Sequence, residues 1–292
     1  WDKFSVSSKS IRCIYNDPRG IYWIGTYQGG VDKYDKNLTL FNSKQNNAYD
    51  PAGLNAPFVS SFAENKDGDI FVGTDGGGLN LFHLKNGLFS HIALKAKEKN
   101  NSAGLPILSM MLDRNQQLWI GTFQDGVFIY DTKTGQYQQL TAGKDSRHIN
   151  NNEIFCFKED SKGKIWIGTN GGGVNVYDPN TRTFLKYVSN PVSADERPLP
   201  VNGFIRAIEE DHQGNIWIGT YGSGIAVLNP KNQKFQLYSN KSTGMAIDRA
   251  FSLLEDHTGN MWVGTAGDGL FCFNPSRKKI VSYPAPEKLP DG

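Results

Sequence analysis

The chain has 292 residues, among them 32 Gly, 17 Phe, 12 Tyr and 6 Trp, and 31 basic residues against 29 acidic ones give a formal net charge of +2. The length admits one large domain or two ordinary ones, and the charge balance argues against nucleic acid, which would ask for a basic surplus on one element. No apolar run approaches the roughly 18 residues of a membrane span, so direct membrane insertion of this segment is not expected. The opening Trp1, with no Met and no leader ahead of it, is what a processed or excised piece of a longer chain would show.

In chain order, residues 1–6 read as a lone outer strand, patterned like Lys234–Leu237. One unit then recurs six times. Its signature is Trp23-Ile24-Gly25-Thr26, Phe71-Val72-Gly73-Thr74, Trp119-Ile120-Gly121-Thr122, Trp166-Ile167-Gly168-Thr169, Trp217-Ile218-Gly219-Thr220 and Trp262-Val263-Gly264-Thr265, with aromatic residues 48, 48, 47, 51 and 45 apart. Ahead of each stands Asp17, Asn65, Asp113, Asp160, Asp211 or Asp256. Three residues further on comes Gly20, Gly68, Gly163, Gly214 or Gly259, with Gln116 the one departure. Asp or Asn opening a turn that closes on Gly is type I turn chemistry, and it predicts two strands joined there. After Gly-Thr a Gly-rich turn such as Gly171-Gly172-Gly173 supplies positive φ angles. A third strand follows (Val174–Tyr177), then an Asp-Pro or Asn-Pro turn, then a fourth strand such as Phe184–Tyr187.

Four antiparallel strands per unit, with no helical period between units, predict an all-β chain: a β-propeller with six four-stranded blades at about 11–41, 59–91, 107–140, 154–187, 205–238 and 250–283. The third position of the first strand is small throughout (Cys13, Ser61, Ser109, Cys156, Ala207, Ser252), as expected where blades converge on an axis. The spare strand at residues 1–6 leaves two arrangements open. Six blades close with an extra edge strand, or they form part of a seven-bladed ring; either way residues 1–292 are expected to form one domain fragment.

Chemistry-bearing motifs are sparse. Cys13, Cys156 and Cys272 are too scattered for a disulfide scaffold or a zinc site and read as small apolar core residues. The five His residues lack metal-ligand spacing, so no metal and no cofactor is expected. Glu209-Glu210 and Asp195-Glu196 are the available carboxylate pairs for glycoside hydrolysis, but Glu210 aligns with Glu64, Glu159 and Glu255 and is therefore a structural position of the repeat. The Asp-x-x-Gly spacing also misses the Asp-box of sialidases, and the vicinal cysteine pair of quinoprotein dehydrogenases is missing. No catalytic residue is assigned.

Variation on a constant scaffold marks a recognition surface instead. The fourth-to-first connections (42–58, 92–106, 141–153, 188–204 and 239–249) are long and dissimilar, and they lie on the same end of the blades as the second-to-third turns. Those turns begin with Tyr27, Asp75, Phe123, Asn170, Tyr221 and Ala266; nearby, the second position of the inner strand holds Arg12, Ser60, Leu108, Phe155, Arg206 and Phe251. From these the expected ligand residues are Arg12, Tyr27, Asp75, Phe123, Asn170, Arg206 and Tyr221: aromatic faces stack on sugar rings, and Arg holds an acidic group bidentately.

The blade Ile-x-x-Ile-x-Glu-Asp-x-x-Gly-x-Ile-Trp-Ile-Gly-Thr-x-Gly-Gly-Gly-Val-x-x-Tyr-Asp-Pro, best seen at residues 154–179, resembles the two-component regulator propeller repeat. The resemblance covers about residues 10–284. It implies the periplasmic sensor region of a hybrid histidine kinase of gut Bacteroidetes, whose propellers are usually two, each seven-bladed, followed by an immunoglobulin-like domain, a membrane span and the kinase. It further implies an oligosaccharide ligand, a homodimeric receptor, signal transduction through the parent kinase and no catalysis in the propeller itself. The alternatives are a standalone propeller lyase or hydrolase acting on glycans, and a protein-interaction scaffold.

Overall fold

The computed structural model describes residues 10–35, 38–44, 50–97 and 104–283, with Val6 and Asn46; the expected strand at 1–6 lies, but for Val6, outside the described residues. The chain divides into two compact units, residues 1–141 with 152–154, and residues 142–151 with 155–292. In the first unit, blade one comprises β1 (Ile11–Asn16), β2 (Ile21–Thr26), β3 (Gly30–Asp35) and β4 (Leu38–Lys44). Blade two comprises β5 (Val59–Glu64), β6 (Ile70–Thr74), β7 (Gly78–His83) and β8 (Leu88–Ile92). Blade three comprises β9 (Ile107–Leu112), β10 (Gln117–Thr122), β11 (Val127–Asp131) and β12 (Tyr137–Leu140).

The second unit carries blade four: β13 (Ile154–Glu159, its first residue grouped with the first unit), β14 (Ile165–Thr169), β15 (Val174–Asp178), β16 (Thr183–Val188) and an added edge strand β17 (Glu196–Pro198). Blade five is β18 (Ile205–Glu210), β19 (Ile216–Thr220), β20 (Ile225–Asn229) and β21 (Lys234–Tyr238). A capped helical turn α1 (Asn240–Thr243) follows, then blade six: β22 (Ala250–Glu255), β23 (Met261–Thr265), β24 (Leu270–Phe273) and β25 (Ile280–Tyr283). Consecutive strands of every blade are hydrogen-bonded neighbours. Residues 188–204 and 239–249 are expected from sequence to be plain connections. In fact β17 pairs parallel to β16, with Tyr187 opposite Arg197, because the returning chain meets an edge strand still offering backbone groups.

Each signature residue has a local task. The Asp that opens the first turn is buried in four blades of the six (Asp17, Asp113, Asp160, Asp211) and accepts two backbone N–H groups through one oxygen; for Asp160 these are Lys162 and Lys164, at 2.9 and 2.8 Å. The Thr ending the second strand donates its hydroxyl to the carbonyl that closes the next turn, as Thr169 does to Gly173 at 2.8 Å. Gly173 itself sits at φ +85°, and a methyl group there would strike the Tyr187 carbonyl, so the tight turn admits only Gly.

The Gly of the signature faces the small residue of the first strand across the ladder: Cys13 opposite Gly25, Ser61 opposite Gly73, Ser109 opposite Gly121, Ala207 opposite Gly219, Ser252 opposite Gly264. A methyl on Gly168 would collide with Cys156 Sγ and with Ile205 of the next blade. The small position is therefore a local necessity: Gly, small residue and the next blade's first inner-strand side chain share one space, whatever lies at an axis. Those apolar pairs build the core, in clusters such as Trp166, Val174, Ile205 and Ile218.

Candidate functional site

The ligand residues expected from sequence sit on one end of their blades, and a β-bulge puts some of them there. In blades one, two, three, five and six the register skips one residue between the first and third positions of the inner strand, which leaves Arg12, Ser60, Leu108, Arg206 and Phe251 outside the paired ladder. A bulge re-aims the unpaired side chain and is a usual device at binding sites. The residue after the signature Thr is held through its backbone. Tyr27 N–H donates to the Ser10 carbonyl, Asp75 to Phe58, Phe123 to Pro106, Tyr221 to Phe204 and Ala266 to Arg249, at 2.8 to 3.0 Å. Tyr27, Asp75, Phe123 and Tyr221 are thereby fixed with their side chains exposed.

In the second unit three of the expected residues meet. Arg206 Nη2 donates to Asn170 Oδ1 at 2.8 Å and Nη1 donates to the Ile205 carbonyl at 3.0 Å, while its guanidinium carbon lies 4.1 Å from the centre of the Phe155 ring. The same group lies 5.7 Å from Tyr221 and 5.9 Å from Phe251, and these two rings meet edge to face at 5.7 Å. The guanidinium is thus pinned in plane by two hydrogen bonds and stacked among aromatic rings, each such stack contributing about 0.5–2 kcal/mol. Phe204, Tyr221 and Phe251 are all exposed.

The connections hold this surface rigid. The Gly203 carbonyl accepts the N–H groups of Gly171 and Gly173, and the Asp248 carbonyl accepts those of Gly222 and Gly224, so each connection is clamped onto the preceding blade's Gly-rich turn. Phe204 follows Gly203 and its ring rests over Gly171, whose φ of +97° favours glycine there. Asn202 Nδ2 donates to the Tyr221 carbonyl at 2.9 Å, and Arg249 pairs with Asp268 at 2.9 Å beside it.

In the first unit Arg12 lies 4.7 Å from the Tyr27 ring centre, and Tyr27 packs on Phe58 at 4.8 Å. Asp75 and Phe123 stand exposed on their own blades. Phe58 and Phe204 did not enter the sequence reading, because they fall in the dissimilar connections; their signal is positional, one residue ahead of the inner strand, where the carbonyl accepts the turn N–H.

The other sequence candidates are engaged structurally. Glu209, pushed up by burial and only partly offset by Lys158, forms an ion pair with that lysine. Asp195 pairs with Lys186 at 3.2 Å. Glu210 accepts the N–H and hydroxyl of Ser161 at 2.6 and 2.7 Å, and Glu255 accepts His212 N–H at 2.6 Å, so the repeat Glu ties its blade to the turn of the blade before. A cleft of about 310 Å³ opens at the other end of blades four and five, lined by Ser161, Lys162, Trp166, Gln213 and Lys231 and by Glu210, at the opposite end of β18 from Arg206. Among the described residues no group of three or more His, Cys, Asp or Glu could hold a metal ion.

The model of the two-component regulator propeller matches residues 5–28, 148–171, 198–222 and 244–267, each segment ending at or just past a signature Thr and its turn. Four segments of the chain thus carry the two-component regulator propeller repeat. A curated relative is histidine kinase P4 of Formosa agariphila, 27% identical over 221 residues, which is 75% of this chain and 15% of the kinase. Among solved structures, the extracellular domain of a hybrid two-component system from B. thetaiotaomicron is 28% identical with a TM-score of 0.67, over 98% of this chain and 36% of that one. Virginiamycin B lyase of Staphylococcus aureus superposes with a TM-score of 0.71 at 11% identity, over 96% of this chain and 85% of the lyase, and so shares the β-propeller fold alone. The regulator propeller repeats here span well under two thirds of the kinase and of the extracellular domain they match. They resemble the extracellular sensor domains of two-component systems, and no helix among the described residues is long and apolar enough to cross a membrane.

Proposed function

We propose that this chain is the ligand-sensing part of a periplasmic receptor ectodomain of a hybrid histidine kinase, and that it recognises an oligosaccharide without catalysing its breakdown. The observation that carries the reading is the surface around Arg206: a guanidinium fixed by Asn170 and Phe155, with the exposed rings of Tyr221 and Phe251 beside it. Flat apolar faces next to a preorganised donor suit a sugar ring and its hydroxyl or carboxylate oxygens. The carboxylates that glycoside hydrolysis would need, Glu209 and Asp195, are tied to Lys158 and Lys186. The likeness to the extracellular domain of a two-component system supports the sensor role. The receptor would act as a homodimer, and ligand would shift its balance of arrangements by differential affinity.

Titration calorimetry of the 292-residue chain against a panel of neutral and acidic oligosaccharides tests this. Saturable binding that Arg206→Ala and Tyr221→Ala each weaken about tenfold or more is expected, the usual effect of removing a central contact. Binding that survives both substitutions, or release of shortened sugars during the titration, overturns the reading.

A further inference from the structure

Blade six lays one of its own side chains between its first turn and blade five. Arg277, at φ +59° in the turn that joins β24 to β25, reaches back over Trp217, with its guanidinium carbon 5.1 Å from the ring centre. Its Nη2 donates to Glu255 Oε1 at 2.5 Å and lies 3.6 Å from Asp211 Oδ2, while Nη1 donates to the Gly259 carbonyl at 2.8 Å. The side chain is largely buried there. An indole face, two carboxylates and a turn carbonyl thus make a guanidinium site, the first by cation–π attraction and the others by charge-assisted hydrogen bonds.

The cleft of about 310 Å³ between blades four and five is the same place one repeat earlier. It is lined by Trp166, Asp160, Glu210 and Gly214, the repeat counterparts of Trp217, Asp211, Glu255 and Gly259. Their bonds match as well. Asp160 accepts the Trp166 indole as Asp211 accepts that of Trp217, and the two indoles stack on Tyr187 and Tyr238, each at 5.8 Å. Glu210 holds the N–H and side chain of Ser161 as Glu255 holds those of His212. The occupant is what differs. In the corresponding turn of blade five the residue at positive φ is Gln233, and its shorter, uncharged amide is engaged by the Tyr187 hydroxyl and the Pro230 carbonyl. Lys162 and Lys231 line the cleft, yet among the described residues neither forms an ion pair with Asp160 or Glu210.

We infer that the cleft between blades four and five is a binding site for a guanidinium group brought by a ligand, either a small alkylguanidine or the arginine side chain of a polypeptide. The chain itself supplies the template, since the equivalent cleft one repeat later holds a guanidinium on the same four groups. A carboxylate offers about four lone-pair sites, so Glu210 keeps acceptor capacity beyond its two bonds to Ser161. A planar guanidinium can stack on the indole and fork towards the carboxylates together; a compact, strongly hydrated ammonium can do neither as well. The lysines of the lining are compatible with a bound cation, because Arg277 is held with Lys278 next to it in the chain. The site lies at the opposite end of β18 from Arg206 and stands apart from the function proposed there.

The test follows the Trp166 indole N–H resonance of the isotope-labelled 292-residue chain, identified by its loss in Trp166→Phe, through titrations with butylguanidine, butylamine and a blocked Gly-Arg-Gly peptide. A saturable shift with butylguanidine is expected, with butylamine binding about fivefold more weakly or worse. Glu210→Gln is expected to weaken butylguanidine about tenfold, through loss of the charged acceptor. Gln233→Arg, which copies blade six, fills the cleft from within; it is expected to abolish the shift and to raise the thermal midpoint. A blocked peptide that binds as tightly as butylguanidine supports the inference with a polypeptide as the source, and one that binds about tenfold more weakly supports it with a small molecule. Three outcomes overturn it: no saturable shift with any probe, equal affinity for butylamine and butylguanidine, or undiminished binding by folded Gln233→Arg.

Discussion

Asp160 Oδ2 accepts the indole N–H of Trp166 at 2.9 Å, six residues along the chain, while its other oxygen holds the turn between them. The same bond joins Asp113 to Trp119, Asp211 to Trp217 and Asp256 to Trp262 at 2.8 to 3.0 Å, and Asp17 to Trp23 at 3.3 Å. Blade two has changed both partners: Phe71 has no N–H to give, and Asn65 stands where the carboxylate would be left short of a donor, still accepting Asp67 and Asp69 N–H at 2.9 Å. Turn and core are thus coupled through one carboxylate.

Trp166→Phe therefore removes the indole N–H from a buried carboxylate and is expected to lower stability by about 2–4 kcal/mol, from lost packing and the lost hydrogen bond together. Adding Asp160→Asn, which copies blade two, recovers about 1 kcal/mol of that. Urea unfolding of the two single variants and the double one measures the coupling. Additive effects would show that the two residues act independently.

Gln116 stands at φ +65° where the other five blades have Gly. A non-Gly residue there carries backbone strain of roughly 1 kcal/mol, partly offset because Gly loses more entropy on folding. Gln116→Gly is expected to stabilise by about 0.5 kcal/mol, raising the urea midpoint without changing the slope. The Gln116 carbonyl, which accepts Thr132, is kept by the change.

Burial pushes the thiols of Cys13 and Cys156 up to about 12, from the ordinary 9.0. A raised folded value means that both thiols stabilise the native state below pH 9, and that this contribution is lost as pH rises from about 9 towards 12, where only the unfolded chain ionises. Three blades already place Ser at this position, so Cys156→Ser is expected to change stability at pH 7 by under about 1 kcal/mol and to flatten the alkaline fall. Thermal midpoints from pH 7 to 11 check both halves.

Asp211 behaves in the opposite sense. Burial alone would raise it, but the Trp217 indole, Asn215 and the Arg277 charge more than offset that and hold its carboxyl below the ordinary value of 3.8. A lowered folded value gives stability that is present above pH 4 and lost as pH falls through it. Asp211→Asn should therefore be less stable than the parent at pH 7, with the gap narrowing towards pH 3, as read from thermal midpoints across that range.

The repeat was legible because it is local. Asp, Gly, aromatic and Gly-Thr each satisfy a turn, an indole or a carbonyl within a few residues, so six copies of one pattern specify six four-stranded blades from sequence order alone. The small position of the inner strand was legible too, though its cause is the facing Gly. Neither the edge strand β17 nor the meeting of Arg206 with Phe155, Tyr221 and Phe251 could be read that way. Both depend on where dissimilar connections return and on a bulge that leaves no mark in composition. Sequence by itself determined the blade, since its hydrogen bonds close within about 35 residues. Only the tertiary structure decided which side chains share a surface, because that outcome rests on contacts between blades about 48 residues apart, where exposure and not periodicity carries the information.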